Sequence, residues 1–451
     1  MYTSKKIDWS FFILFPYIAL IYIPWFYHRI RIRYVAPIFL MWLLLMIVRS
    51  RHVKILSQES KTWFAYTVLF AVIFFIRALL FQLFGYSVGW SMNDFAELVL
   101  CISPLYIFHF SVANGRQREL RLLLMWILLC LSCTSVMTLM GELGTEEASR
   151  LLTGRFGSGN YTNDEAMLAM EGIAQRSQVY SIGLLVAPML YSVRFISFRQ
   201  KIIYLACAAL FFYISYTTRY SSLMMGIFLG LILLSILLLG IRGKAVNIIG
   251  ILLVIGVIIG TAQPKSFSFL ARPILGLRDM TTIRTYQERI EAVVDTISGA
   301  GDSIATARTD LYWMSWKAFC SEPLFGVGIW PWGADMTSDQ NQRAVQLGGH
   351  SVIFDILGSS GLFGFMFFVL LFVSFFKYLS TLSPNVLDRR WWPVASLFMF
   401  PFIMFLMVNN LTGYHVYMDF FLLMPGMAFV YRRPQDLGLV SSQMNRLPMK
   451  L

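Results

Sequence analysis

Long uninterrupted apolar runs are the main feature of this sequence. Residues 223–241 contain no charged side chain, and residues 245–262 form a second run of the same kind. An apolar run of about 18 residues or more is long enough to cross a membrane as a helix. Because backbone polar groups in hydrocarbon must pair within their own segment, such runs cannot be loops or open strands. The pattern therefore predicts an all-α, polytopic membrane protein.

Similar runs recur over the whole chain and predict about twelve transmembrane helices, with both termini on one side of the membrane. The boundaries follow the first and last apolar residues of each run. The predicted spans are 9–27, 34–48, 62–84, 94–112, 120–140, 177–193, 202–218, 221–240, 245–262, 352–376, 391–411 and 414–431.

The positions of lysine and arginine orient these spans. Short loops rich in basic residues lie on the cytoplasmic side of membrane proteins. One segment departs from this rule, because His28 to Arg33 carries three arginines on the external side, so that residues 9–48 form an unusual hairpin or fewer spans. The basic loops placed in the cytoplasm contain Arg49, Arg51, Lys54 and Lys61; Arg116, Arg118 and Arg121; Arg194, Arg199 and Lys201; Arg242 and Lys244; Lys377, Arg389 and Arg390; and Arg432 and Arg433.

Two polar loops are long, and both fall on the external side. In the longer one, residues 284–297 and 306–320 have the pattern of amphipathic helices. A structured loop of this kind is a common location for functional residues. The predicted organisation is transmembrane helices with an external loop at 141–176 in residues 1–262, a large external loop at 263–351, three further spans in 352–431 and a cytoplasmic tail at 432–451.

Composition supports a membrane protein and argues against other classes. Hydrophobic residues make up 57% of the chain and charged residues 14%, whereas soluble domains average about 25% charged. The net charge of +13 comes from the basic loops, so we expect no nucleic-acid partner. The sequence has no HExxH, no paired Cys/His zinc spacing and no GxxxxGK[ST]. We therefore expect no metal and no nucleotide cofactor.

Three basic residues at predicted external boundaries could carry chemistry. Arg219 lies between two apolar runs, where an arginine either faces a polar cavity or anionic partner, or snorkels to the interface. Arg308 opens the segment 308–328, where it is either a surface charge on a loop helix or a phosphate ligand, since a guanidinium binds phosphate groups in a two-pronged geometry. His350 follows a glycine pair directly before an apolar run, where it is either an interfacial side chain or a proton acceptor for a hydroxyl.

Acidic residues inside the predicted spans are few. Asp355 and Asp419 lie within or at the mouth of apolar runs, and Arg77 lies inside the third run. Ionisable residues at such depth are costly and usually pair. A structural ion pair is the favoured role for Arg77, and Asp419 is a candidate for orienting a histidine or an acceptor hydroxyl.

Taken in order, these motifs resemble the O-antigen ligase/polymerase family of bacterial surface-polysaccharide assembly. The first is Thr218-Arg219 at the outer end of a central span. The second runs from Arg308 through a tryptophan-containing helix to the Pro-x-x-Gly-x-Gly turn that ends at Gly328. The third is Gly349-His350-Ser351, followed by Gly361-Leu362-Phe363-Gly364. The segment from Arg155 to Asn160 resembles an earlier external loop of the family less specifically.

The resemblance implies an inverting, metal-independent glycosyltransferase of the bacterial inner membrane, with its active site on the periplasmic side. Its donor and acceptor would be oligosaccharides linked to polyprenyl pyrophosphate and held in membrane lipid. Arg219 and Arg308 would bind the pyrophosphate and His350 would deprotonate or orient the acceptor hydroxyl, with Arg155 and Asp419 in supporting roles. No cofactor is implied, and a chain-length regulator and a flippase are the expected protein partners.

Three activities remain open at this point. A polymerase, which we favour, transfers the growing glycan to another lipid-linked repeat unit, whereas a ligase transfers it to lipid A-core. A flippase would move the same lipid-linked oligosaccharide across the membrane. A flippase needs charged residues around a cavity at mid-membrane, and here the arginines and the histidine are at the external boundary, which favours an enzyme. The sugars, the linkage and the final polysaccharide remain open as well.

Overall fold

The computed structural model describes residues 9–30, 34–49, 92–114, 116–145, 172–174, 176–218, 221–240, 243–262, 304–327, 351–382, 391–408 and 413–430, with isolated positions in 62–72 and 275–294 and at 347. Regular structure in these ranges is helical throughout, which confirms the all-α prediction. The α-helices are α1 Leu14–Tyr22, α2 Pro24–Arg29, α3 Ala36–Arg49, α4 Met92–Ala113, α5 Gln117–Thr145, α6 Arg176–Ser192, α7 Phe198–Thr217, α8 Ser221–Leu238, α9 Gly243–Ala262, α10 Ile304–Ser321, α11 Val352–Leu382, α12 Trp391–Val408, α13 Gly413–Tyr417 and α14 Met424–Val430.

Several of these helices are suited to a bilayer. Within the described residues, three segments are long and apolar enough to cross a membrane: Arg118–Gly141, Phe198–Thr217 and Val352–Ser380. Shorter apolar helices accompany them at Trp9–Tyr22, Tyr34–Val48, Leu98–Ala113, Ser222–Leu238, Ala245–Gly256 and Trp392–Val408. The chain is therefore an all-α membrane protein, and the total of about twelve spans stays a prediction.

The segment with the unusual distribution of arginines forms an antiparallel hairpin. The helix is interrupted at Ile23, before Pro24, and α3 runs back alongside α1. Ser10 donates a hydrogen bond to the Met46 sulfur, and the Phe11 and Trp42 rings meet edge to face, so the start of the hairpin lies against its end. The number of membrane spans within residues 9–48 stays a prediction.

Contacts between helices bring eight helix ends together, and we call this end of the bundle the polar end. It contains the carboxyl ends of α1, α5, α7 and α12 and the amino ends of α6, α8, α11 and α13. Thr134 of α5 donates to the Tyr22 carbonyl of α1, and Gln178 of α6 donates to the Ile21 carbonyl. Ser351, beside α11, donates to the Leu406 carbonyl of α12.

Buried polar side chains concentrate at the polar end. Asp355, His415 and Asp419 are each no more than 1% exposed. Asp355 and His415 lie in the first turns of α11 and α13, and Asp419 lies in the segment that directly follows α13. Ionisable residues inside a membrane bundle are costly and are candidates for functional residues. The alternating topology predicted from lysine and arginine puts this end on the external side.

Two helices at this end depart from regular α geometry. Gly361 interrupts α11 with φ 64° and ψ −167°, so the helix is kinked after its first ten residues. Met418–Leu423 forms a π-helical turn between α13 and α14. Such turns are rare in proteins, and those that occur frequently lie at functional sites.

Candidate functional site

The structure places the elements that carry the predicted site residues, although most of those side chains lie outside its described part. Arg155, Arg219 and His350 are not among the described residues, and only the backbone of Arg308 is. Arg308 is in the second turn of α10, and His350 directly precedes the described Ser351 at the start of α11. Arg219 joins the end of α7 to the start of α8, which is also at the polar end. The predicted roles of these four residues stay predictions.

The helix that carries Arg308 matches the amphipathic helix predicted over 306–320. It buries Ser315 and Ala318 on one face and exposes Trp313 and Trp316 on the other. Residues three or four apart share a face of an α-helix, so this small-residue face is the one that packs against α11. A Cβ on Gly358 of α11 would lie 2.7 Å from the Ser315 carbonyl oxygen. The two backbones are therefore as close as glycine allows.

The turn that follows α10 docks onto the kink in α11. At Gly361 the helix leaves the amide groups of Leu362 and Phe363 without their intrahelical acceptors. The Leu362 amide donates to the Pro323 carbonyl at 2.8 Å, and the Phe363 amide donates to the Leu324 carbonyl at 3.2 Å. The kink and the turn thus satisfy each other's backbone polar groups, as buried groups require.

Two glycines with positive φ make this docking possible. Gly326 has φ 68° and Gly361 has φ 64°, a conformation that other residues rarely adopt. A Cβ on either glycine would lie 2.5 Å from the backbone nitrogen of the other. The Val327 amide then donates to the Gly358 carbonyl at 3.0 Å. The Pro-x-x-Gly-x-Gly turn and the Gly-Leu-x-Gly step, which are separate motifs in the sequence, are one contact in the fold.

A buried hydrogen bond joins the same two helices. The Ser315 hydroxyl donates to the Asp355 carboxylate at 2.6 Å, and both residues are 1% exposed. Asp355 is five residues after His350, and Ser315 is seven residues after Arg308. Sequence reasoning noted Asp355 as an intramembrane acid but did not find its partner, because a serine in a loop helix has no distinguishing pattern.

The backbone next to His350 is anchored to α12. Ser351 is 1% exposed, and its hydroxyl donates to the Leu406 carbonyl at 3.3 Å and accepts from the Phe354 amide at 3.4 Å. The second contact has the geometry of a helix N-cap, which satisfies one of the free amides at the start of α11. The residue that follows His350 is therefore fixed in the bundle.

Asp419 belongs to a separate polar cluster in the bundle. The Ser181 hydroxyl donates to one carboxylate oxygen at 2.7 Å, and the Tyr22 hydroxyl lies 3.4 Å from the other. These contacts connect the π-helical turn to α1 and α6. His415, one turn earlier, packs edge to face on the Tyr22 ring at 5.7 Å between centroids. The proposed role of Asp419 in orienting a histidine or acceptor stays a prediction.

Among the described residues, no three His, Cys, Asp or Glu side chains lie close enough to hold a metal ion. What the fold does assemble is a rigid pair of helices, one carrying an arginine and the other starting next to a histidine. An arginine binds anionic oxygens, and a histidine accepts a proton.

The described helices form an all-α bundle of an integral membrane protein. Residues 184–369 match the family model described as O-Antigen ligase. The match is to less than half of the chain, and it contains Arg219, Arg308, His350 and both glycine motifs. It confirms the resemblance to the O-antigen ligase/polymerase family over these residues. No curated protein matches the chain.

The family comprises membrane glycosyltransferase-like enzymes of bacterial O-antigen synthesis that act on lipid-linked oligosaccharides. The family covers both ligases and polymerases. The choice between these activities therefore depends on experiments with this chain.

Proposed function

We propose that this protein is a polysaccharide polymerase that transfers a growing glycan from polyprenyl pyrophosphate to a lipid-linked repeat unit on the periplasmic face of the inner membrane. The observation that supports the proposal is the docking of the Arg308 helix against the first turns of α11. This contact fixes the helix that carries Arg308 relative to Ser351, the residue that follows His350. A chain-length regulator and a flippase would act on the same lipid-linked chains.

The proposed reaction follows from the charges involved. The acceptor hydroxyl oxygen attacks the anomeric carbon while the bond from that carbon to the pyrophosphate oxygen breaks. Negative charge grows on the pyrophosphate, where Arg219 and Arg308 stabilise it, and no metal is then required. His350 takes the hydroxyl proton. Attack opposite the leaving group inverts the anomeric configuration, and the lipid pyrophosphate leaves.

Expression in two hosts tests the proposal. One host lacks its O-antigen polymerase and the other lacks its ligase, and each receives the genes for the cognate repeat unit. A lipopolysaccharide ladder restored only in the first host supports the polymerase. Arg308→Ala and His350→Ala should collapse that ladder to single repeats. Arg278→Ala is the matched control, since Arg278 lies in the same loop region but forms a half-exposed ion pair with Glu291 at 2.8 Å, a contact that is worth little.

The ligase is the second candidate, because the matching family covers both ligases and polymerases. Rescue only in the ligase-deficient host would establish it and refute the polymerase. If neither host is rescued and lipid-linked repeats stay on the inner leaflet of cells without this gene, a flippase replaces both enzymes. Retention of full activity by Arg308→Ala and His350→Ala would refute the assigned residues.

A further inference from the structure

We infer that Asp355 is a positioning residue for the proposed transfer reaction: through its hydrogen bond with Ser315 it sets the register of the Arg308 helix relative to the His350 segment. The inference rests on the proposed function and adds to it a group that has no direct contact with substrate. Four observations support it, and each concerns the contact between α10 and α11.

The first observation is the cost of the carboxylate. Asp355 is 1% exposed and lies in the first turn of α11, within the candidate membrane span Val352–Ser380. An apolar residue of similar size would fill the same space without the desolvation penalty of an acid. An intramembrane ionisable residue is therefore functional by default, and polar groups in such positions can fix one register among several.

The second observation is the position of its partner. Ser315 and Ala318 form the small face of α10 that packs on Gly358, and the Tyr312 ring of α10 stacks on the Phe354 ring of α11 beside it. The bond of 2.6 Å between Ser315 and Asp355 is directional, whereas packing of small side chains and stacking of rings leave room for small rotations. The bond therefore defines the rotation of α10 at this point more narrowly than the packing does.

The third observation is helical phase. Arg308 precedes Ser315 by seven residues, which is about two turns, so both Cα atoms are on the same face of α10. A rotation of α10 that breaks the Ser315 contact must move Arg308 by a similar angle. On the other side, Asp355 donates its own amide to the Ser351 carbonyl at 2.8 Å, and Ser351 adjoins His350.

The fourth observation is the position of the Ser315 bond between Arg308 and the glycine contact. The docking of Gly326 on Gly361 fixes the carboxyl end of α10 but lies far along the helix from Arg308. The Ser315 bond lies between that anchor and Arg308. A displacement of about 1 Å in a catalytic group lowers the rate about a hundredfold, so this intermediate anchor has a direct kinetic consequence.

The test uses purified full-length protein in lipid nanodiscs, with lipid-linked repeat units extracted from the rescued host as donor and acceptor. Asp355→Ala and Ser315→Ala should each lower kcat at least tenfold and leave the KM for the donor within threefold. The double variant should lose no more than the worse single variant, because both changes remove the same contact. Ser359→Ala is the matched control, since among the described residues this buried hydroxyl of α11 donates to its own helix, at the Ile356 carbonyl.

Two further variants distinguish positioning from a direct chemical role. Asp355→Asn keeps an acceptor oxygen for Ser315 and should stay within threefold of the wild type. The exchange of Ser315→Asp with Asp355→Ser reverses the bond and should restore most of the lost kcat. Failure of both variants, with folded protein by size-exclusion chromatography, would overturn positioning in favour of a role for the charge. If Asp355→Ala does not fold, Ser315→Ala alone decides the kcat test, because it removes one oxygen without changing the packing.

The outcome is separable from that of the proposed function. If the wild type extends no chain on these repeat units, the proposed function fails. If the wild type is active and Arg308→Ala is inactive, but Asp355→Ala and Ser315→Ala match Ser359→Ala, the proposed function stands and the positioning role is refuted.

Discussion

Replacing Gly326 with alanine tests whether the docking of the turn onto the kinked helix holds the active arrangement. The new Cβ would lie 2.5 Å from the Gly361 nitrogen and against the backbone of Ser359 and Ser360. Backbone atoms cannot move aside as a flexible side chain can, so the turn must separate from α11. The positive φ of 68° adds strain of about 1–2 kcal/mol for any L side chain.

The magnitude follows from the bonds that separation breaks. Three hydrogen bonds cross this contact: Val327 amide to Gly358 carbonyl, Leu362 amide to Pro323 carbonyl and Phe363 amide to Leu324 carbonyl. Each contributes about 1 kcal/mol net. The loss of all three hydrogen bonds amounts to about 3 kcal/mol. Since about 1.4 kcal/mol is a factor of ten in an equilibrium constant, the ratio of docked to undocked protein falls about a hundredfold.

Gly240→Ala is the matched control because it isolates the strain from the clash. Gly240 has φ 81°, but nothing lies within 4 Å of the position its Cβ would take. The assay is the lipopolysaccharide ladder in the polymerase-deficient host, together with the unfolding midpoint of the detergent-purified protein. We expect Gly326→Ala to reduce the ladder at least tenfold and Gly240→Ala to leave it intact. An equal effect of the two substitutions on the ladder would show that the docking does not contribute to activity.

Two further predictions concern the membrane bundle and its orientation. Ser181→Ala should lower the free energy of unfolding by about 2 kcal/mol in a thermal or denaturant titration, because a hydrogen bond to a carboxylate is worth about 1.5–3 kcal/mol and Ser181 donates to Asp419. The Ser135 hydroxyl donates to the Leu131 carbonyl of its own helix, so Ser135→Ala should change the free energy of unfolding by less than about 0.5 kcal/mol. A larger effect at Ser135 would contradict the argument. Cys320, exposed on α10, should react with a membrane-impermeant maleimide in intact spheroplasts if its loop is external, whereas the buried Cys101 should not; labelling of Cys320 only after lysis would place the loop inside the cell.

Helices were the part of the fold that local sequence could predict. Apolar runs such as the one at 352–376 identify a membrane helix because lipid leaves the backbone no other way to pair its polar groups. The helix over 306–320 was readable as well, since its apolar and polar positions alternate with helical period. Both signals lie within a single segment, and so they need no knowledge of the neighbours.

The kink in α11 and the buried hydrogen bond between Ser315 and Asp355 could not be predicted from local sequence in the same way. Glycine is common inside membrane helices, so Gly361 within an apolar run does not indicate a break. Its positive φ arises because the turn at Gly326, 35 residues earlier in the chain, supplies acceptors for the freed amides. Likewise Asp355 was recognisable as an intramembrane acid, but Ser315 became its partner only when α10 packed against α11.

The crossing of Gly326 and Gly361 makes two distant segments interdependent during evolution. A substitution at one glycine removes the space that the other needs, so neither position can drift while its counterpart is kept. Residues 322–327 and 358–363 should therefore be inherited as a unit, and a chimera that exchanges only one of them between relatives should misassemble. Exchange of both segments together with α10 should transfer the loop to a new bundle, with any acceptor preference that the loop confers.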